Sequence, residues 1–252
     1  MCPEILSMPS YSVLIAIGII AGILAFRLLC DKKKMADEVY RFYSILIIIS
    51  VAIGFLGAML FQSVYNFLET GYFELRGLTF MGGLIGGAGC FISITLLNKN
   101  IKIRSCLLPI LEIATPCLVL AHAFGRIGCF LSGCCHGIES ESGLYFPTLN
   151  KTVIPTNLYE AVFLFVLFAI LFIFALKDKP QGFNLSLYCI FYGVFRFTIE
   201  FFRGDERGSF IPGISPSQFW SIALIIVGFV LIVLRKFKPQ AFNAKILQSQ
   251  TE

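Results

Sequence analysis

Apolar runs recur along the whole chain, each about 20 residues long and bounded by short polar connections; as a helix, a run of that length crosses a hydrocarbon core of about 30 Å. Seven such runs are read: Tyr11–Leu29, Tyr43–Phe67, Leu78–Leu97, Leu107–Leu131, Leu158–Leu176, Phe183–Phe202 and Ser217–Leu234. The pattern predicts an all-α polytopic membrane protein with about seven transmembrane helices. Met1–Ser10 carries Glu4 and no Lys or Arg, so it lacks the basic n-region of a cleaved signal peptide and the first run is expected to remain a span.

Basic residues set the expected orientation, because Lys and Arg near membrane ends stay cytoplasmic. The connections after the first, third and fifth runs, together with the tail, hold fourteen of them, including Lys32, Lys33, Lys34, Lys102, Arg104, Arg235 and Lys236. The alternate connections hold four: Arg76, Lys151, Arg203 and Arg207. The N-terminus is therefore expected outside and the C-terminus in the cytoplasm. Residues 1–238 are read as a single membrane-embedded domain, with the outer connection Ser132–Asn157 as a cap over it and 239–252 as a short cytoplasmic tail.

Composition agrees with a membrane setting. Of 252 residues, 57% are hydrophobic and 14% charged, far from the balance of a soluble domain. The net charge of +5 is a topology signal in the connections, and no basic patch points to nucleic acid.

Against this background the polar groups inside spans stand out. An ionisable side chain at the centre of a span costs about 2.5–3.5 kcal/mol on insertion scales, so each needs a partner or a task. The fourth run places His122 and Arg126 at i and i+4, with Cys129 and Gly133 continuing that face. The sixth places Arg196, Glu200 and Arg203 on one face, and the fifth opens with Asn157, Tyr159 and Glu160. All three sets lie toward the outer leaflet in the expected orientation. One reading is a set of ion pairs, Glu200 with Arg126 or Arg196, that ties helices together. The other is a positively charged chamber in which two guanidinium forks take the phosphate of a lipid head group. The glycines of the third run, Gly77, Gly82, Gly83, Gly86, Gly87 and Gly89, suit close helix packing or a backbone left open to substrate.

Seven stretches of sequence, in this order, resemble the prolipoprotein diacylglyceryl transferase family: SYSVLIAIGIIAG, GFLGAMLFQSVYN, GLTFMGGLIGG, GRIGCFLSGCCHG, PTNLYEA, YGVFRFTIEFFR and ISPSQFWSI. The resemblance covers almost the whole chain. It implies transfer of the diacylglyceryl group of phosphatidylglycerol to the lipobox cysteine of a prolipoprotein signal peptide, forming a thioether and releasing glycerol phosphate, in the bacterial inner membrane with the site facing outward. Carried over by position, Arg126 and Arg196 hold the head group and the leaving phosphate. Glu200, Arg203, Tyr159 and Glu160 fall on substrate-binding positions, and Gly125, Gly128 and Gly137 on signature glycines. No cofactor is implied.

The departures are as specific. Met81 stands where the family has a histidine and Met59 where it has an arginine; Cys129 replaces an asparagine and Cys134 a glutamate, followed by Cys135 and His136. Three readings of this thiol-rich end remain open. In the first, His122 or His136 is the base and the cysteines are bystanders. In the second, Cys129, Cys134 or Cys135 is a nucleophile whose pKa is lowered by Arg126. In the third, Cys129, Cys134, Cys135 and His136 bind a metal, although their spacing is not a standard zinc pattern and no metal is assigned. A disulfide through Cys129 or inert thiols complete the set. Cys90, Cys106, Cys117 and Cys189 are expected to pack as small apolar side chains. A divergent thiol-dependent transferase with another acceptor, and a phospholipid-binding or transport protein without catalysis, are the alternatives to the diacylglyceryl reading.

Overall fold

The computed structural model describes residues 4–5, 8–75, 77, 79–177, 180–204, 213–237 and 239. It is mostly helical: α1 (Ser10–Lys32), α2 (Asp37–Thr70), α3 (Phe80–Leu97), α4 (Ile101–Ser105), α5 (Leu107–Leu131), α6 (Thr156–Leu176), α7 (Phe183–Ile199), a 3-10 turn (Glu200–Phe202) and α8 (Pro216–Phe237). Six of these helices are long and apolar enough to cross a membrane, namely α1, the Asp37–Val64 part of α2, α5, α6, α7 with its 3-10 turn, and α8. The third expected run is α3, whose apolar stretch Gly82–Leu97 is shorter; Leu78 and the side chain of Met81 lie outside the described residues, as does the tail after 239. The chain is thus a multi-pass α-helical membrane protein. Two pairs of short strands accompany the helices, β1 (Glu4–Ile5) with β2 (Met8–Pro9) and β3 (Glu139–Phe146) with β4 (Lys151–Val153), both antiparallel.

Packing divides the chain into two compact units, one drawn from residues 1–33 and 111–244 and the other from 34–110 and 245–252. In the second unit α2 and α3 pack along a glycine seam. Lipid offers helices no hydrophobic drive to associate, so close backbone approach supplies the attraction. A Cβ built on Gly57 would lie 2.6 Å from the carbonyl oxygen of Gly82, and one on Gly82 would run into the Gly57 carbonyl and Phe61. The packing role expected of the third-run glycines is the one these contacts describe. Gly89, on the same helix, faces open space. Tyr43, fully buried, donates its hydroxyl to the Ile103 carbonyl at 3.0 Å and ties α2 to α4.

In the first unit, Val119 and Ala123 of α5, Leu164, Leu167 and Leu171 of α6 and Tyr192 of α7 form one buried cluster. Phe163 stacks on Phe195 with ring centroids 4.0 Å apart, adding to the α6–α7 contact. Cys117 and Cys189 of this unit are buried, as is Cys106 of the other, where Cys90 is half-buried. Pro116 sits inside α5, where it removes the N–H that would bond the Glu112 carbonyl one turn back. The fully buried Asn184, from the first turn of α7, supplies the missing donor: its Nδ2 reaches the Glu112 carbonyl at 3.1 Å and the Leu171 carbonyl near the end of α6 at 3.0 Å. In the absence of water, a freed backbone carbonyl must find such a partner.

Ser132–Asn157, the segment expected to form a cap, folds into the β3–β4 hairpin. Phe146 and Val153 are buried on its inner face, and Phe146 meets the Phe130 ring edge-on at the end of α5 with centroids 5.9 Å apart.

Two stability outcomes follow from these contacts. Gly82→Ala is expected to lower stability by about 1–3 kcal/mol in detergent micelles, the usual cost of overpacking, whereas Gly89→Ala is neutral within about 0.5 kcal/mol; equal thermal unfolding midpoints for both variants would contradict the seam. Asn184→Ala is expected to cost about 1–3 kcal/mol, chiefly through the Glu112 carbonyl it leaves without a donor. Adding Pro116→Ala restores a backbone N–H and should recover part of that loss, which a thermal unfolding series of the single and double variants measures.

Candidate active site

α5 and α6 meet at a buried carboxylate. His122 and Arg126 lie one turn apart on α5, and Glu160, 1% exposed, projects inward from the first turns of α6. Arg126 Nη2 is 3.0 Å from Glu160 Oε1, and Arg126 Nε donates to His122 Nε2 at 3.3 Å. A ring nitrogen that accepts a hydrogen bond carries no proton, so the imidazole is neutral in this arrangement. From α7 the buried Tyr192 donates its hydroxyl to the same Glu160 oxygen at 2.8 Å, and its ring meets the His122 ring edge-on.

One turn farther along α7 the second guanidinium is anchored. Arg196 Nη1 lies 2.7 Å from Glu200 Oε2, close enough for an ion pair although not aligned as a hydrogen bond. Its Nη2 donates to Ser217 Oγ at the start of α8 at 2.8 Å. Ser215 Oγ donates to the other Glu200 oxygen at 2.8 Å, and Arg203 Nε lies 3.9 Å from Glu200 Oε2. The side chains of Arg196, Glu200 and Arg203 are all less than a tenth exposed. Glu200 therefore pairs with Arg196, and Arg126 has its own carboxylate in Glu160. Tyr192, bonded to Glu160, stands one turn before Arg196 on α7 and so links the two ion pairs.

The end of α5 is stitched to this cluster by backbone. Gly137 N donates to the Ile154 carbonyl at 2.8 Å, Ile138 N to the Phe202 carbonyl at 2.9 Å, and Gly204 N to the His136 carbonyl at 3.3 Å. Gly137 and Arg203 form an isolated antiparallel bridge. A Cβ on Gly137 would lie 2.5 Å from the Phe202 oxygen and 2.7 Å from that of Ile154, so only glycine permits three chain segments to meet there. Gly128 lies against Tyr11 and Leu14 of α1.

Between α5 and this bridge the three signature cysteines come together, with all their sulfurs within 4.8 Å of one another. Cys134 N and Sγ both donate to the Cys129 carbonyl, at 3.1 and 3.6 Å. The first residues of α6 hold the following backbone: Asn157 Nδ2 donates to the Cys134 carbonyl at 2.7 Å and Thr156 Oγ1 to the Cys135 carbonyl at 3.1 Å. Cys135 adopts a left-handed backbone with φ of 57°. The neighbouring Cys129 and Cys134 thiols, and then Arg203, hold its thiol below the ordinary cysteine range. His136 Nδ1 lies 3.0 Å from the Gly137 carbonyl, and the metal-ligand grouping of the described residues comprises the three cysteines without it.

The sequence-derived positions thus divide. His122, Arg126, Glu160, Arg196, Glu200 and Arg203 converge, and Cys129, Cys134 and Cys135 cluster beside them. Tyr159 does not join them: one residue before Glu160 on α6, it faces outward and is 48% exposed, because adjacent helical residues point about 100° apart. Met59 belongs to the second unit. Tyr192, Ser215, Ser217 and Thr156 were not singled out from sequence. Tyr192 stands four residues before Arg196 and so shares its helix face, a signal the spacing contained; the serines sit in ISPSQFWSI, where no periodicity points to a partner.

Comparison with known proteins agrees with this assembly. The family model described as prolipoprotein diacylglyceryl transferase matches residues 4–234. A phosphatidylglycerol–prolipoprotein diacylglyceryl transferase of Clostridium tetani is 33% identical over 248 residues, covering 91% of this chain and 94% of that protein. The protein of Clostridium perfringens named phosphatidylglycerol–prolipoprotein diacylglyceryl transferase 2 is 33% identical over 244 residues, covering 91% of each. One from Dehalococcoides mccartyi is 28% identical over 244 residues, covering 91% of this chain and 90% of its own length. With its ordered motifs, its helical membrane fold and these matches over nearly its full length, the chain belongs to the prolipoprotein diacylglyceryl transferase family.

Proposed function

We propose that the chain transfers the diacylglyceryl group of phosphatidylglycerol to the lipobox cysteine of a prolipoprotein. The observation that carries this reading is that Arg126 pairs with a Glu160 held from α7 by Tyr192, while Arg196, one turn beyond Tyr192 on that helix, pairs with Glu200. Among the described residues, three guanidiniums, Arg126, Arg196 and Arg203, outnumber the two carboxylates paired with them, Glu160 and Glu200, a positive bias that suits the negative charge of a phosphodiester. A guanidinium has five N–H donors in a fixed fork, so an arginine held by a carboxylate keeps capacity for a phosphate oxygen.

The chemistry is displacement at an sp3 carbon. The acceptor thiol gives up its proton to solvent, its sulfur forms a bond to the glyceryl carbon that carries the phosphate oxygen, that carbon–oxygen bond breaks, and the electron pair leaves on glycerol phosphate, which gains a negative charge. Arginines already oriented by Glu160 and Glu200 meet that developing charge without reorganising, the largest single contribution in many sites of this kind. His122, whose Nε2 lone pair is engaged by Arg126, is in this arrangement a support for the arginine in place of a free base.

The reading extends to location. The asymmetry of Lys and Arg along the connections supports a cytoplasmic C-terminus, an outer N-terminus and a site toward the extracytoplasmic side of the bacterial inner membrane.

Arg126→Ala and Arg196→Ala are each expected to lower transfer from phosphatidylglycerol vesicles to a lipobox peptide by about 100-fold or more, read as thioether product by mass spectrometry. Arg126→Lys should stay low because a point charge does not reproduce the fork. Full activity in either alanine variant would overturn the phosphate role. A phosphatase that folds only outside the cytoplasm, fused after the last residue, should be inactive, and an active fusion would reverse the orientation.

A further inference from the structure

Three thiols lie within 4.8 Å of one another and, among the described residues, no carboxylate joins their grouping, which makes a donor set of soft ligands. With metal–sulfur bonds of about 2.3 Å, three thiolates around one ion stand about 4 Å apart, a spacing this cluster accommodates. The surroundings hold it in that shape. Asn157 and Thr156 fix the carbonyls of Cys134 and Cys135, and the Cys134 amide bonds back to Cys129. Cys135 is held in a left-handed backbone conformation that non-glycine residues seldom adopt and that is found disproportionately at functional positions. Cys134 is exposed, which leaves a route of entry.

We propose that Cys129, Cys134 and Cys135 form a three-sulfur site for zinc, with the fourth coordination position left to an incoming sulfur. Zinc favours four ligands in a tetrahedron, and a site with three protein ligands keeps one position open for water or substrate. Binding releases the thiol protons to solvent as the metal replaces them. The catalytic consequence rests on the diacylglyceryl reading above. An acceptor thiol entering the fourth position loses its proton to solvent and is held as a thiolate, and its sulfur then forms the bond to the glyceryl carbon as glycerol phosphate departs. The metal would thereby supply the deprotonation for which His122 is not free.

The test uses the full-length chain in detergent, purified under reductant, loaded with zinc alone and dialysed. About one zinc ion per chain is expected by elemental analysis, and cobalt(II) in its place should give a near-ultraviolet sulfur-to-cobalt charge-transfer band. Cys129→Ser, Cys134→Ser and Cys135→Ser should each lower zinc affinity by about 10-fold or more, while Cys106→Ser, far from the cluster in sequence, retains it. The cobalt band read on the unsubstituted chain keeps the question answerable if a serine variant misfolds. A zinc content near zero, a cobalt spectrum without thiolate bands, or a Cys129 disulfide in place of bound metal would overturn the site. Transfer assays on the same preparations separate the two claims: bound zinc with no transfer to a lipobox peptide leaves the metal site standing and removes the diacylglyceryl reading, whereas full transfer by metal-free protein overturns the role given to zinc.

Discussion

A carboxylate with almost no solvent access cannot stay ionised in a membrane helix bundle unless opposite charge and hydrogen bonds surround it. Glu160 is 1% exposed and meets that condition with Arg126 at 3.0 Å and the Tyr192 hydroxyl at 2.8 Å. Three helices contribute to this one contact, α5 through Arg126, α6 through Glu160 and α7 through Tyr192. Removing one partner of such a pair leaves an isolated buried charge, a penalty of about 3–5 kcal/mol, so the arrangement constrains how the helices meet as well as holding the arginine. The same constraint orients the guanidinium before any lipid arrives. Structural tying is what these contacts show, and under the proposed function the same guanidinium would also meet the phosphate, so the two readings do not exclude each other.

The C-terminal end of α5 adds a second device. Its helix stops at Leu131, and the chain then turns through Cys134 and Cys135 before meeting Arg203 and Ile154 at Gly137. Side chains from the first turn of α6 hold the carbonyls of the two cysteines. Glu160 and the thiol cluster are therefore positioned by the same helix start, one through a side chain turned inward and the other through backbone held from Thr156 and Asn157. A thiol-rich end in place of the amide and acid of the family pattern is consistent with chemistry in which sulfur, or a metal held by sulfur, handles the acceptor's proton.

Elsewhere the helices are joined by small residues and single polar atoms. The glycine seam of α2 and α3 brings backbones into contact, and Asn184 replaces the hydrogen bond that Pro116 forbids. Both devices answer one physical fact: within hydrocarbon, apolar side chains give neighbouring helices little reason to associate, while an unpaired backbone group is costly.

The order of the apolar segments, the helical membrane class and the spacing of His122 with Arg126 and of Arg196 with Glu200 were all determined by the sequence, because hydropathy and the helical repeat act over one segment at a time; that the third segment forms a shorter helix than the other six was not. The family was legible for the same reason, since its motifs are short and ordered. Which carboxylate serves which arginine was not: Glu160 lies 34 residues from Arg126, and only packing of α5 on α6 selects it over Glu200. Tyr159 shows the limit from the other side, as a motif position that helix geometry turns outward. The β3–β4 hairpin had no apolar alternation to announce it, and the gathering of three sulfurs follows from a left-handed turn and two hydrogen bonds from α6. Such contacts join segments distant in the chain, so tertiary structure alone decided them.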